Sequence, residues 1–219
     1  MSPRMSQFSR ETVGKTALAL VREKGWEALS ARGLAQRLGS SVAPVYGAFP
    51  SMEKLEDFVL GEILGLVDAT IRGIEKDEEI KTFLAMGIGL ARFARDEPEL
   101  FLALLKARKG DALSGYKTDL RSRLDTDPSL GWLGPEILDR VFERLWIFTI
   151  GLMVALVYGY GGASSDEALN ELMRSTGGVI IYGEAAGLGD PEGRALREAW
   201  ARLYPSRFPQ KTHSRKSKE

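Results

Sequence analysis

Between Gly25 and Leu55 the chain sets two short amphipathic segments on either side of a turn, and this leaves few ways to fold. In Ala31-Arg32-Gly33-Leu34-Ala35-Gln36-Arg37-Leu38 the apolar residues Leu34, Ala35 and Leu38 share one helical face. In Val42-Ala43-Pro44-Val45-Tyr46-Gly47-Ala48-Phe49 the residues Val45 and Phe49 do the same. Gly39-Ser40-Ser41 makes the turn. Ser30 stands where it can cap the first helix, and Ser41 where it can cap the second. Pro44 has no amide hydrogen, so it belongs in a first helical turn, and Ser41 would then have to cap the amide of Ala43. This is the layout of a helix-turn-helix, whose second helix has the size of one that enters a DNA major groove.

Charge is distributed in the same sense. Residues 1–55 carry Arg4, Arg10, Lys15, Arg22, Lys24, Arg32, Arg37 and Lys54 against Glu11, Glu23, Glu27 and Glu53, a net charge of +4. The whole chain is neutral, so the rest carries −4. A basic head on an acidic body approaches DNA in one orientation, although charges of this size also occur on ordinary helical surfaces.

Several chemistries are excluded by composition. The chain has no cysteine, which rules out disulfides and thiolate zinc sites, and its one histidine, His213, sits in a polar tail. A histidine metal cluster or a histidine-dependent triad cannot be assembled. Glu136, Asp139 and Glu143 share a helix, and without such partners they read as a solvated face, so no enzyme activity and no cofactor is expected. Met1 to Arg10 lacks the apolar core of a signal peptide, and a cytoplasmic location is expected. Leu145–Tyr160 is uncharged for sixteen residues. That is shorter than the ~20 needed to span a bilayer, so a buried interface helix, and no membrane partner, is expected.

The rest of the chain reads as all-α, with no internal repeat. A helix from Arg10 to Lys24, capped by Ser9 and ended by Gly25, turns Val13, Ala17, Leu20 and Val21 inward. A long helix from Ser51 to Ile74 carries Leu55, Phe58, Val59, Ile63, Leu66 and Val67, and Glu75–Lys81 is a loop. Further helices are expected near Thr82–Arg95, Pro98–Arg108, Tyr116–Leu124 and Pro135–Tyr158. Ser164 and Glu167 form a capping box for a helix reaching Ala186. Asp190-Pro191 opens a last helix that ends before Pro205. The domains are then a three-helix helix-turn-helix head (1–55), a larger helical body for ligand binding and dimerisation (56–204), and a basic disordered tail (205–219).

The glycine-aromatic pair Gly25-Trp26, then Ser30, Leu34-Ala35, Leu38-Gly39, Ser41, Val45-Tyr46, Phe49, Ser51, Glu53 and Leu55, resembles the N-terminal signature of TetR-type bacterial transcriptional regulators. The likeness spans about residues 10 to 60; the remaining length matches that family in size and helical character. It implies DNA contacts from Ser41, Val42, Ala43, Pro44, Tyr46, Gly47 and Lys54, with Ser30 and Arg32 from the preceding helix. Tyr46 can donate its hydroxyl to a phosphate, and Lys54 can anchor one. Ser30 and Ser41 can bond phosphates or cap their helices. The sequence departs from the pattern at Gly47-Ala48, where the family often has a histidine or another large polar residue, and at Met52, where a lysine is common. Val42, Ala43, Pro44, Gly47 and Ala48 cannot form a bidentate bond to a purine. Base discrimination is therefore expected from thymine methyl contacts, DNA shape and Arg32, with Arg37 as a helper. The alternative for Arg32 is a solvated residue or a simple phosphate contact.

A single head buries little DNA, so a homodimer reading an inverted repeat of double-stranded DNA is expected. Its seam is assigned to Gly151, Leu152, Met153, Leu156, Gly177, Gly178, Val179, Ile180 and Gly183; packing within one chain would use the same residues. The resemblance also implies a small-molecule effector that controls head spacing. Phe83, Met86, Leu90, Phe93, Phe101, Leu105, Trp132, Trp146 and Thr149 are the candidate pocket residues, with ordinary core packing as the alternative. The expected function is a dimeric repressor released by a small molecule. The alternatives are an effector-independent DNA binder and a helical protein-interaction module.

Overall fold

Helix α1 (Arg10–Lys24) starts where the Ser9 hydroxyl accepts the Thr12 amide at 3.1 Å, and it stops at Gly25. Gly25 turns to φ +79°, a region that only glycine enters freely, and its N–H closes on the Val21 carbonyl. After one 3₁₀ turn (Trp26–Ala28), α2 (Ala31–Arg37) begins at Ser30, whose hydroxyl accepts the Gly33 amide at 3.1 Å. Gly39, at φ +61°, makes the turn into α3 (Ala43–Ala48). Ser51 caps α4 (Met52–Ile74) through the Lys54 amide at 3.3 Å. Each cap satisfies one of the amides that a helix start leaves unpaired.

The computed structural model describes residues 8–76, 82–107, 111–127, 130–161, 163, 165–187, 198 and 202. Among these residues every regular element is helical: after α4 come α5 (Thr82–Asp96), α6 (Pro98–Lys106), α7 (Asp111–Leu124), α8 (Pro135–Val157) and α9 (Asp166–Ala185). Part of the Glu75–Lys81 loop, most of the helix expected from Asp190, and the tail 205–219 lie outside the described residues. Within that last helix only Glu198 and Arg202 are described, both helical and exposed.

Three boundaries differ from the sequence reading. Ser41 does not cap α3; the cap position is taken by Val42, at φ −71° and ψ −16°, with no side-chain hydrogen bond. A serine cap bonds the second or third helical amide, and capping from Ser41 would have set Pro44, which has none, at the third. Shifting the start by one residue puts the proline at the second helical position, inside the turn that needs no amide partner. At α9 the cap is Ser165, whose hydroxyl accepts the Ala168 amide at 3.2 Å, and Ser164 lies outside the described residues. Helix α7 starts at Asp111, ahead of Tyr116.

One apolar core runs from Val13, Ala17, Leu20 and Val21 of α1 through Leu55, Val59, Ile63, Val67 and Ile71 of α4 to Met153 of α8. The period of the α4 residues is that of one helical face, while Phe58 and Leu66 sit at its edge, half-buried. Helix α5 packs against α4, α8 and α9. Its Gly89 faces Ile71 so closely that a Cβ there would lie 2.9 Å from the Ile71 Cα and 2.5 Å from its Cγ1. A second cluster joins Ala85 and Ile88 of α5 to Leu152 of α8 and Leu169 and Met173 of α9. Two ion pairs tie the head to α6: Arg22–Glu97 at 2.8 Å and Lys106–Glu27 at 2.9 Å. Among the described residues no helix is long and apolar enough to cross a membrane.

Candidate nucleic-acid interface and body cavity

Val45 and Phe49 hold α3 to the head: both are 1% exposed, packed among Leu20, Leu34 and Leu55. Phe49 meets Phe58 edge-on at 5.4 Å, and the Arg10 guanidinium lies 4.8 Å from the Phe49 ring. Fixing that inner face turns Val42, Ala43, Tyr46 and Gly47 to the outside, with Pro44 and Ala48 half-buried beside them. Ser41 is exposed at the approach to the helix. Tyr46 is 50% exposed on this outer side, where a phosphate could reach it.

The cations around this face differ in what already holds them. Arg32 is exposed on α2, and among the described residues no acid pairs with it. Arg37 donates to both Glu23 oxygens, at 2.5 and 2.6 Å, and the same hydrogen bonds hold the Glu23 carboxyl below its ordinary range. Arg37 is thereby occupied as a link from α2 to α1. Lys54 is exposed and reaches Asp57 at 3.3 Å, a surface pair that costs little to exchange for a phosphate. The Ser30 hydroxyl is engaged as an acceptor by its cap and retains its own hydrogen to donate.

The body has a half-open cavity of about 370 Å³ between α5, α7, α8 and α9, within the ~300–1,000 Å³ usual for small-molecule sites. Five of the sequence candidates reach its wall: Phe83, Met86, Leu90, Trp146 and Thr149. Phe93 and Phe101, 3% and 1% exposed, are used up in the core that joins body to head. Leu105 packs at the edge of that core, and Trp132 is exposed, its ring 6.4 Å from that of Tyr182. Wall residues that sequence reasoning missed include Phe142 and Leu145 of α8 and Met173, Arg174, Ile181 and Tyr182 of α9. The α8 pair lies on the same helical stripe as Trp146 and Thr149, a signal that was present but open to a core reading.

The residues assigned to a dimer seam separate into groups. Leu152 and Met153, 8% and 1% exposed, are spent inside their own chain. Gly177 and Gly178 line the cavity. Gly151 and Val179 face outward, while Leu156, Ile180 and Gly183 are half-buried. Ile147, which sequence reasoning had not singled out, joins the outward set at 69% exposure. Of the carboxylates read as a solvated face, Asp139 pairs with Arg121 at 2.6 Å and Glu143 with Lys117. No group of His, Cys, Asp and Glu among the described residues has the arrangement of a metal site.

A buried-backed recognition helix on a three-helix head, joined to a helical body, defines a helix-turn-helix DNA-binding transcription regulator. Residues 15–56 match the family model of the bacterial regulatory proteins of the tetR family, which makes the head one of that type. No curated protein matches the chain. Among solved structures it is similar to the ketosteroid transcriptional regulator KstR2 of Mycobacterium tuberculosis, with 15% identity and a TM-score of 0.47. That likeness covers 83% of this chain and 98% of that one.

Proposed function

We propose that the chain is a dimeric repressor whose head (1–55) reads an inverted repeat and whose body (56–204) holds a small molecule that ends DNA binding. The observation that carries this reading is the adjacency of cavity and head. Cavity-lining α5 runs along α4, whose first turn presents Lys54, and continues through Glu97 into α6, which is ion-paired to the head. A ligand that moves α5 therefore acts on both supports of the head. To shift spacing it must prefer the arrangement that misfits DNA, with a coupling of ~1–3 kcal/mol typical of such switches.

A second copy is the partner for Ile147 and Gly151 of α8 and Val179 of α9, three exposed residues without charge. Two heads on a two-fold axis would meet major grooves ~34–36 Å apart. Within each half-site Tyr46 and Lys54 fix the register on phosphates, Val42 and Ala43 touch thymine methyl groups, and Arg32 supplies the remaining discrimination. The test is selection of binding sites from random duplexes at two salt concentrations, with sedimentation of the complex. Enrichment of an inverted repeat bound by two chains, with affinity falling steeply with salt, is expected. Recovery of no repeat and no salt dependence would leave a protein-interaction module instead.

A further inference from the structure

The cavity wall is specific enough to name a class of ligand, an inference that rests on the reading of the cavity as the effector site. Thr149 is 4% exposed and lines the cavity. Thr16, Thr70 and Thr118 all return their hydroxyls to the carbonyl one helical turn back, at 2.8, 3.0 and 3.3 Å. Thr149 makes no hydrogen bond with any described residue. Its oxygen is not among the fully buried atoms left without a partner, so it is accessible and free to bond a ligand in the cavity it lines.

The wall carries one full charge, Arg174 of α9, and no carboxylate. Arg174 is exposed and has no ion-pair partner among the described residues. A bound cation would meet like charge with nothing to neutralise it, and a dianionic phosphate would leave one charge uncompensated. A carboxylate matches the guanidinium fork in both charge and geometry.

Part of the wall carries no side chain. Gly177 and Gly178 expose bare helix, and a Cβ added at either meets nothing within 4 Å. Phe142 and Trp146, stacked with centroids 6.2 Å apart, contribute rings to the same cavity. We propose that the ligand is a flat-ringed carboxylate with a second oxygen on its ring system, the carboxylate on Arg174 and the oxygen on Thr149.

The test is calorimetric titration of the full chain with a hydroxynaphthoate bearing its hydroxyl on the far ring, and with naphthoate, naphthol and naphthylmethylamine. The hydroxynaphthoate is expected to bind tightest. Loss of its hydroxyl, or Thr149→Val, should each weaken binding about fivefold, and in the variant the two acids should bind alike. Arg174→Gln should weaken both acids about fivefold and leave naphthol unchanged. Unaltered thermal melting of both variants, one isosteric and one at an exposed site, separates these effects from misfolding. An amine that binds as well as the acids, variants that change nothing, or no binding of any probe would overturn the ligand class. Operator selection with the same preparation judges the regulator reading separately: an amine that releases operator would sink the acid and keep the repressor.

Discussion

Arg37 grips Glu23 with both arms of its guanidinium, at 2.5 and 2.6 Å, and so fastens α2 to α1 beneath the recognition helix. Because Glu23 titrates below its ordinary value of 4.5, the stability it adds is fully present above that value and is lost as pH falls through the lowered one. Melting curves of the chain and of Glu23→Gln should therefore differ at neutral pH and converge in acid. A gap that persists unchanged at low pH would assign the link to something other than the ionised pair.

Arg32 has no competing acid among the described residues, so its whole charge is available to DNA. In an operator titration Arg32→Ala should cost ~1–3 kcal/mol and relax preference at the base pair it reads. Equal weakening on every sequence, with the salt slope reduced by about one, would make Arg32 a phosphate contact. Uracil in place of thymine should also weaken binding, through the methyl groups that Val42 and Ala43 would touch.

Gly89 lets α5 lie close on α4, and a methyl group there has only backbone and a branched side chain of Ile71 to push against. Gly89→Ala is expected to destabilise by ~1–3 kcal/mol as an overpacking change. For a chain of this size that is a fall of roughly 2–12 °C in melting temperature. An unchanged melting temperature would show that α4 yields freely at this point.

Asp68 of α4 accepts a hydrogen bond from Tyr116 at 2.7 Å and pairs with Arg123 at 3.0 Å, both on α7. Burial, then the bond to Asp68, pushes the Tyr116 phenol far above its usual range, so it keeps the proton it donates to Asp68. Asp68→Ala strands that donor, and ~1–3 kcal/mol of stability should go with it. Tyr116→Phe removes donor and demand together and should cost less. Denaturant unfolding of both variants decides; the reverse order would deny the phenol its part.

Gly178 offers a way to close the cavity without disturbing its walls. A leucine there starts into open space and replaces a residue that costs a helix interior ~0.8–1.0 kcal/mol. Gly178→Leu should melt no lower than the native chain, keep operator binding and no longer release DNA to any effector. Sedimentation of the variant checks that its oligomeric state is unchanged. Retained release would place the effector elsewhere.

Capping at Ser9 and Ser30 was legible from the residues because a cap is a bond to an amide three positions on. The start of α3 was misplaced by one residue for an equally local reason, since Pro44 offers no amide to bond and two registers remain open. The helical period also picked out an aromatic stripe in the body, but it could not say which rings faced a void. Phe83, Met86 and Leu90 meet the cavity, while Phe93, barely a turn further along the same helix, is closed in by the core against the head.

Sequence by itself determined the helical class, the caps at Ser9 and Ser30 and the inward face of the head, all of which depend on contacts a few residues apart. Tertiary structure alone decided that Arg37 is tied to Glu23 while Arg32 stays available, and that Gly177 and Gly178 floor a cavity. Those outcomes depend on where α1, α5, α8 and α9 come to rest against one another. A helix of given period offers its side chains in every direction, and only its neighbours determine which directions are filled.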